Sequence, residues 1–354
     1  MKIVLVTPNF HQPRGNTVTV QRIADGLKTF GITTEIVSVT EEGAANVLPA
    51  ADLIHGFHAY RFYKFLEKLE HKVESYIVTI TGTDLYQDLF NDEKRLDVVR
   101  SLAGAAAIHV FDKRAKQLLE KEIPSVANRV HIIPQANSFF PKTKINFEKE
   151  TGTFLFVLPA GIRKVKNIPF AINSLKKLYT QNDRVRLWIV GPVIEEDEGL
   201  AVKELLEENK NWAKYMGAVP HSMMGAVLLE ADVVLNTSHS EGQSTAILEA
   251  MGFGIPVLVS SNDGNRSIVS HERTGFVYNE ESDFLVYAEK LINNSDGRKE
   301  IGQAAIRYVN ENHNRHSEAV ALKRIYENVL SEKGGHNMSE REIIKLTSLS
   351  SKGG

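Results

Sequence analysis

The sequence predicts an α/β protein built from two doubly wound domains, each a parallel sheet covered by helices. Three observations carry that prediction. Short Val/Ile/Leu runs alternate with longer amphipathic stretches, as buried parallel strands alternate with crossover helices. The alternation lapses after Pro134 and restarts at Phe154. The chain has 354 residues, more than one ordinary core accommodates.

In order along the chain, strands are expected at Ile3–Val6, Thr34–Val37, Leu53–His55, Tyr76–Ile80, Ile108–Val110 and Val130–Ile133. Helices fit over Thr17–Phe30 and Lys113–Lys121, and over Tyr60–Lys68, where Phe62, Phe65 and Leu66 share a core-facing stripe. The segment Lys142–Thr151 is polar and aperiodic and reads as a linker, so the first domain is assigned to residues 1–145. The second domain, residues 150–312, restarts with strand Phe154–Leu158 and helix Asn167–Leu178. Strand Arg186–Val190 follows, closed by Gly191-Pro192, then helix Leu200–Asn209 and strands at Val233–Leu235, Pro256–Val259 and Gly275–Tyr278. Residues 313–331 are expected to form a helix packing back on the first domain. Residues 332–354, with Gly-Gly pairs at Gly334 and Gly353, read as a mobile tail with a short helix near Ser339–Leu346. Two such units place a ligand cleft between them, at the carboxyl ends of the strands.

Composition narrows the function classes. A formal net charge of −2 and a pI near 6.7 argue against nucleic acid or an acidic membrane as partner. With no cysteine, disulfides and thiolate metal sites are excluded. No apolar run approaches the roughly 18 residues of a transmembrane segment, and Met1–Val6 reads as a strand, not a signal peptide. A cytoplasmic protein is the expectation.

Four segments carry chemistry. Glu241-Gly-Gln-Ser-Thr-Ala-Ile-Leu-Glu249 follows a buried strand and enters a helix near Ser244, so backbone N–H groups at the helix start lie beside Glu241, where an anion could bind. Pro159-Ala-Gly-Ile-Arg163-Lys164-Val-Lys166-Asn167 also lies between strand and helix. Its three cations suit a diphosphate, and they would stabilise a departing nucleotide without a metal; a solvated basic turn is the plain alternative. His11-Gln-Pro-Arg14-Gly15-Asn16-Thr17 follows the first strand, with Asn16 or Thr17 placed to cap the next helix. It is not a GxGxxG, so a dinucleotide-binding first domain is unsupported. Thr79-Ile-Thr-Gly-Thr83-Asp84 follows another strand, and Asp84 reads either as a helix N-cap or as a cleft residue. His55 and His58 lack a carboxylate that would complete a metal site, and no G-x-S-x-G elbow indicates a hydrolase.

Together these segments resemble the retaining glycosyltransferases of family 4, whose GT-B fold pairs two Rossmann-like domains across a cleft. The most specific likeness is the E-x7-E phrase, matched by Glu241 and Glu249. It is joined by Gly191, Gly217 and Gly254-Ile-Pro256. Gly15-Asn-Thr-Val-Thr-Val-Gln21, Thr81-Gly-Thr-Asp84 and Pro159-Ala-Gly-Ile-Arg163 look closer to a subgroup holding glycosyltransferase 1 domain-containing proteins and, in its N-terminal half, selenosugar synthases.

The resemblance implies transfer of a hexose, with N-acetylglucosamine a candidate, from a nucleotide-diphosphate sugar, UDP-linked by expectation, to an unidentified acceptor. It implies no cofactor and no metal. Arg163 and Lys166 would bind the diphosphate and stabilise the leaving group, and Glu241 would orient the donor sugar as a positioning group. Gly242, Gln243 and Ser244 would lie near the sugar and phosphates, Glu249 would bind the ribose, and Gly15 and Asn16 would close over the diphosphate. His58, Thr83 and Asp84 are the acceptor-side candidates. Two departures stand out: Thr81 occupies a position where many members carry histidine, and Gly264-Asn265-Arg266 stands where a Gly-Gly and a glutamate are common. A nucleotide-sugar epimerase on the same fold and a non-catalytic sugar-nucleotide-binding protein are the alternatives.

Overall fold

The computed structural model describes residues 1–11, 15–40, 47–138, 140 and 147–332. The tail expected beyond Glu332, with its helix near Ser339–Leu346, and residues 142–146 of the expected linker lie outside the described residues. The chain divides into two compact units, Met1–Ala136 with the chain from Asn314 onward, and Asn137–His313.

The first unit runs β1 (Lys2–Thr7), α1 (Gly15–Lys28), β2 (Thr33–Ser38), β3 (Leu53–Phe57), α2 (Ala59–Leu66), β4 (Tyr76–Thr79), α3 (Thr83–Tyr86), α4 (Asp92–Gly104), β5 (Ala107–Val110), α5 (Lys113–Glu122) and β6 (Val130–Ile132). Its sheet is parallel throughout, in the order β2-β1-β3-β4-β5-β6. Strands β3, β4 and β5 are buried at every position. They can therefore be apolar on both faces, which is why they read as continuous runs and not as alternations. On α2, Phe62 and Phe65 are buried, as their spacing predicts. Helix α1 starts at Gly15, two residues before the expected Thr17. Thr17 is not a cap: its hydroxyl donates to the carbonyls of Asn9 and Phe10.

The second unit runs β7 (Phe154–Pro159), α6 (Ile168–Tyr179), β8 (Val185–Val190), α7 (Glu196–Glu208), β9 (Ala213–Gly217), α8 (Met224–Glu230), β10 (Val233–Asn236), α9 (Thr245–Gly252), β11 (Val257–Ser260), α10 (Asp263–Arg266), β12 (Phe276–Tyr278), α11 (Glu281–Asn293) and α12 (Ser295–Asn312). The parallel order is β12-β11-β10-β7-β8-β9, that of a Rossmann sheet. Strand β9, which the sequence reading passed over, lies at the sheet edge and is buried only at Ala213, so no apolar run marks it. The unit begins at Asn137, before the expected boundary. Phe140 belongs to its core and Phe147 packs against it, while Lys149 pairs with Asp232 and Glu150 with Arg186. Residues 147–150 are thus tied to this unit by side-chain contacts and are not a free linker.

The final helix, α13 (Arg315–Ser331), belongs to the first unit. Leu322, Ile325 and Tyr326 join the core formed by Ile3, Leu5 and Leu53. The helix is locked to α1 by a two-pronged ion pair in which Arg22 Nε and Nη2 donate to Glu318 Oε2 and Oε1 at 2.9 and 2.8 Å. Those side chains are only 1% and 3% exposed. Glu318 Oε1 also accepts from the backbone N–H of Ala136 at 3.0 Å, the point where the chain leaves the unit. Removing one partner would strand a buried charge, which typically costs several kcal/mol.

A single hydrogen-bonded relay crosses this unit beneath its strands. Tyr326 Oη contacts His55 Nδ1 at 2.8 Å, His55 Nε2 contacts Thr79 Oγ1 at 2.6 Å, and Thr79 Oγ1 contacts His109 Nδ1 at 2.8 Å. His109 Nε2 then donates to the carbonyl of Ile133 at 2.9 Å. A carbonyl only accepts, so the directions follow back along the chain: Thr79 donates to His109, His55 to Thr79, and Tyr326 to His55. The assignment requires both rings to be neutral. Burial pushes His109 down to about 4 from 6.5 despite the Ile133 bond, and burial and then His109 push His55 well below its ordinary value.

Unfolded histidines take protons at a higher pH than these two, so the stability they contribute is complete above pH 6.5 and is lost as pH falls toward about 4. For His109 alone the loss is about 3 kcal/mol. Urea midpoints measured between pH 7.5 and 4.5 should fall steeply, and His109→Gln should flatten that slope. Tyr326→Phe should cost about 1–3 kcal/mol at pH 7.5, because the His55 nitrogen is left without its donor. A midpoint indifferent to both substitutions would refute the relay.

Candidate functional site

In the second unit β7 and β10 are neighbours, but their following strands leave toward opposite edges of the sheet. The carboxyl ends of these two strands flank the topological switch point, where open α/β sheets bind ligands. The two segments singled out from the sequence, 159–167 and 236–249, leave from those two ends.

The first segment is a tightly held turn. Ile162 bridges to Val193 and is tied to the carbonyl of Pro192. Gly191 is irreplaceable here, because a Cβ on it would lie 2.2 Å from the carbonyl oxygen of Ala160. Lys164–Lys166 form one 3-10 turn, and Asn167 adopts the left-handed conformation at φ 48° to redirect the chain into α6. The turn is stitched to the second segment: Thr237 Oγ1 donates to the carbonyl of Lys166 at 2.8 Å and the His239 N–H to that of Val165 at 2.9 Å.

This stitching aims Lys166 at Glu241. Lys166 Nζ donates to Glu241 Oε1, which also accepts from Ser238 Oγ at 2.7 Å and Asn236 Nδ2 at 3.1 Å. The side chains of Lys166 and Glu241 are 15% and 12% exposed. Burial pushes the Glu241 carboxyl up, but the Lys166 charge and the bonds from Lys166, Ser238 and Asn236 outweigh it and hold the group below its ordinary 4.5. All of these donors converge on Oε1, so the other oxygen remains an acceptor for a ligand. Arg163 has a buried Nε with no partner among the described residues, whereas Lys164 is exposed. An unpartnered buried guanidinium N–H is a donor that lacks its acceptor.

Beneath the Glu241 loop lies a polar floor. Ser260 Oγ and Asn262 Nδ2 both donate to the carbonyl of Ser238, at 2.6 and 3.0 Å. Asn265 Nδ2 donates to Asn236 Oδ1 at 3.1 Å and to the carbonyl of Ser260 at 3.0 Å. A Cβ on Gly264 would fall 1.5 Å from the Gly242 carbonyl oxygen, so the loop rests directly on the α10 backbone. The Gly264-Asn265 departure thus builds this floor. Gln243 donates to Ser267 Oγ at 3.2 Å. Ser244 stands at the N-cap of α9 and makes no side-chain cap bond there.

Glu249 lies on α9 with its side chain 5% exposed, and its Oε1 accepts from His221 Nε2 at 2.7 Å. His221 was not a sequence candidate, nor were Asn236, Ser238 and Asn265. For the three polar loop residues, proximity to Glu241 and Gly264 was a usable signal. For His221 no spacing pointed to Glu249, since a sheet crossover separates them.

The remaining candidates belong to the first unit. Gly15 opens α1, and a Cβ there would meet open space, so local packing does not require a glycine; Asn16 is half-buried beside it. His58 ends β3 with φ 70° and ψ 94°, a strained conformation for histidine, and caps α2. Its Nε2 lies 3.8 Å from Asp88. Thr83 begins α3 and is half-buried. Asp84 corrects the sequence reading. It has no exposed surface, and its carboxylate accepts from the N–H groups of Ala59, Thr81 and Gly82 at 2.8–3.0 Å. It fastens the loops after β3 and β4 and has no surface to offer an acceptor. His55 is consumed in the buried relay.

Residues 140–308 match the model of the family described as glycosyl transferases group 1. The chain is 28% identical over 311 residues to the glycosyltransferase 1 domain-containing protein 1 of Xenopus tropicalis, covering 84% of this chain and 90% of that one. Among solved structures, the sucrose-phosphate synthase of Thermosynechococcus elongatus superposes with a TM-score of 0.76 at 14% identity, over 94% of this chain and all of that one. HepE of Anabaena, crystallised with UDP and glucose, superposes with a TM-score of 0.72 at 15% identity, over 93% of this chain and all of that one. The fold is the GT-B fold of these neighbours: two parallel-sheet, Rossmann-like α/β units.

The Lys166–Glu241 pair makes a signed prediction. In Lys166→Met the counter-charge is gone, so burial should lift the Glu241 carboxyl above 4.5 instead of leaving it below. Wild-type stability from this carboxylate is complete above pH 4.5 and is lost as pH falls through its depressed value; in the variant, acidification toward pH 4.5 should stabilise instead. At pH 7 the substitution should cost about 1–3 kcal/mol by urea unfolding, the cost of leaving a buried acceptor without its donor, and adding Glu241→Gln should recover most of that. Failure of the second substitution to rescue the first would show that the pair is not coupled.

Proposed function

We propose that this chain is a retaining glycosyltransferase, moving a hexose from a nucleotide-diphosphate sugar, UDP-linked, to an acceptor. The observation that carries the reading is the pairing, at the switch point of the second unit, of cations with one half-used carboxylate. Arg163 has an unpartnered buried Nε, Lys166 is fixed beside it, and Glu241 bonds through one oxygen only. Cations suit a diphosphate, and a carboxylate with a free oxygen suits sugar hydroxyls. Their adjacency suits a ligand holding both. The match of residues 140–308 to glycosyl transferases group 1 and the UDP and glucose bound by HepE support the same reading.

In the proposed reaction Arg163 and Lys166 bind the diphosphate, and their charge stabilises the negative charge that grows on the leaving oxygen as its bond to the sugar C1 breaks. Amides of Gly242, Gln243 and Ser244, at the N-terminal end of α9, contribute further donors. Glu241 accepts from sugar hydroxyls and sets the sugar's orientation. An ionised carboxylate that already holds an ammonium, a hydroxyl and an amide is a poor nucleophile. The acceptor oxygen therefore attacks C1 on the face the diphosphate leaves, its proton passing to the departing phosphate oxygen, and configuration is retained. Glu249 accepts from the ribose. Charge neutralisation by side chains makes a divalent metal unnecessary in this scheme, and N-acetylglucosamine is among the candidate sugars.

UDP at 100 times its dissociation constant should raise stability by about 2.7 kcal/mol, visible as an increased melting temperature. Arg163→Ala should lower turnover of the UDP-sugar by about 10²-fold or more with little change in melting temperature in the absence of nucleotide, because its Nε has no partner among the described residues. Turnover should withstand EDTA. Donor consumption unaffected by Arg163→Ala would defeat the assignment.

A further inference from the structure

Glu249 presents a problem that its place in the donor site does not solve. A carboxylate with a side chain 5% exposed must be hydrogen-bonded to remain charged, yet its own helix supplies no donor to it. Its partner comes from elsewhere in the unit: His221, in a 3-10 turn between β9 and α8. The route to that position is constrained. Gly217 leaves β9 at φ 75°, and Pro220 precedes His221 at φ −53°. The ring then rests edge-on against Phe140, 4.7 Å between centroids, and Phe140 is itself buried and 5.9 Å from Phe253.

The His221 side chain is 40% exposed, whereas the carboxylate it holds is almost wholly covered. His221 is therefore the part of this pair that meets solvent. Because Glu249 Oε1 accepts, His221 Nε2 carries a hydrogen, and in the neutral ring Nδ1 is left as an acceptor. The bond also fixes the carboxylate's rotation: with Oε1 held by His221, Oε2 is the oxygen left to accept from a ligand hydroxyl.

We propose that His221 is the positioning residue for nucleoside recognition, fixing Glu249 through Nε2 and walling the ribose with a ring braced on Phe140, so that a ribose diol is discriminated from a deoxygenated sugar. This rests on the reading of Glu249 as the ribose contact in a nucleotide-sugar site.

The test is calorimetric titration of the full chain with UDP and with 2′,3′-dideoxy-UDP, for the wild type, His221→Ala and His221→Gln. The wild type should bind UDP about tenfold or more tightly than the dideoxy analogue, as a hydrogen bond to a charged group implies. In His221→Ala that ratio should collapse toward one through loss of UDP affinity, with dideoxy-UDP affinity little changed. His221→Gln, which keeps an N–H donor, should restore most of the ratio. With a UDP-sugar as substrate, the alanine variant should raise KM for the donor far more than it lowers kcat. A folded His221→Ala protein, judged by its melting temperature, that keeps the wild-type ratio overturns the proposal while leaving the donor site intact. A wild type that binds neither nucleotide overturns this proposal and the donor reading together.

Discussion

The second unit's site depends on one constraint: Lys166 and Glu241 come from different strand connections and must meet. Neither side chain is stable there alone. Without the Lys166 charge, burial would push the Glu241 carboxyl upward, toward its protonated form. The pair can form only if the turn after β7 and the loop after β10 are held in register. That register is supplied by bonds that do not involve charge, from Thr237 to the Lys166 carbonyl and from His239 to that of Val165. Much of the surrounding sequence follows from it: Gly191 so that the turn can pass, Gly264 so that the loop can settle, and Asn236 and Ser238 so that Glu241 has neutral donors beside the charged one.

The buried polar groups singled out in the two units are bonded differently, although each unit also holds unpartnered buried atoms such as Arg95 Nε and Arg163 Nε. In the first unit the relay from Tyr326 to Ile133 uses both nitrogens of both histidines, and Asp84 is engaged by backbone donors from two loops. Such closed systems rigidify a core and present little to a ligand. In the second unit the bonding is lopsided: Glu241 is satisfied through Oε1, Glu249 through Oε1, and Arg163 Nε is unpaired. Unused capacity next to ionised groups is expensive to maintain without a ligand, which is what supports the proposed donor site.

How much of this was legible in the sequence depended on the range of the interaction. Strands such as Phe154–Leu158 were legible because burial on both faces forces a continuous apolar run, and β9 was not because an edge strand escapes that requirement. Glu241, Arg163 and Lys166 could be singled out because loops at strand ends are local in sequence. Their partners could be singled out only when they shared a loop, as Ser238 shares one with Glu241. The Asp84 reading failed for a related reason. From sequence its carboxylate faces either a helix start or a cleft, and only the return of the β3–α2 connection, which brings the Ala59 N–H to it, decides the matter.

The strain at His58 fits the same pattern. A histidine at φ 70° costs on the order of 1–3 kcal/mol and persists only where neighbours over-determine it. The neighbours are identifiable: the His58 N–H donates to the Thr79 carbonyl, while the next residue, Ala59, is held by Asp84. Both anchors act on backbone, so they dictate the path of the chain, while among the described residues the imidazole meets a 3.5 Å contact from the Arg61 N–H and the 3.8 Å approach of Asp88. Asp84 thus serves the end of β3 by shaping the chain that presents His58, although its own carboxylate is out of reach. Of the three residues assigned to an acceptor from sequence, the most buried one fixes the backbone geometry at another, His58, which is itself buried.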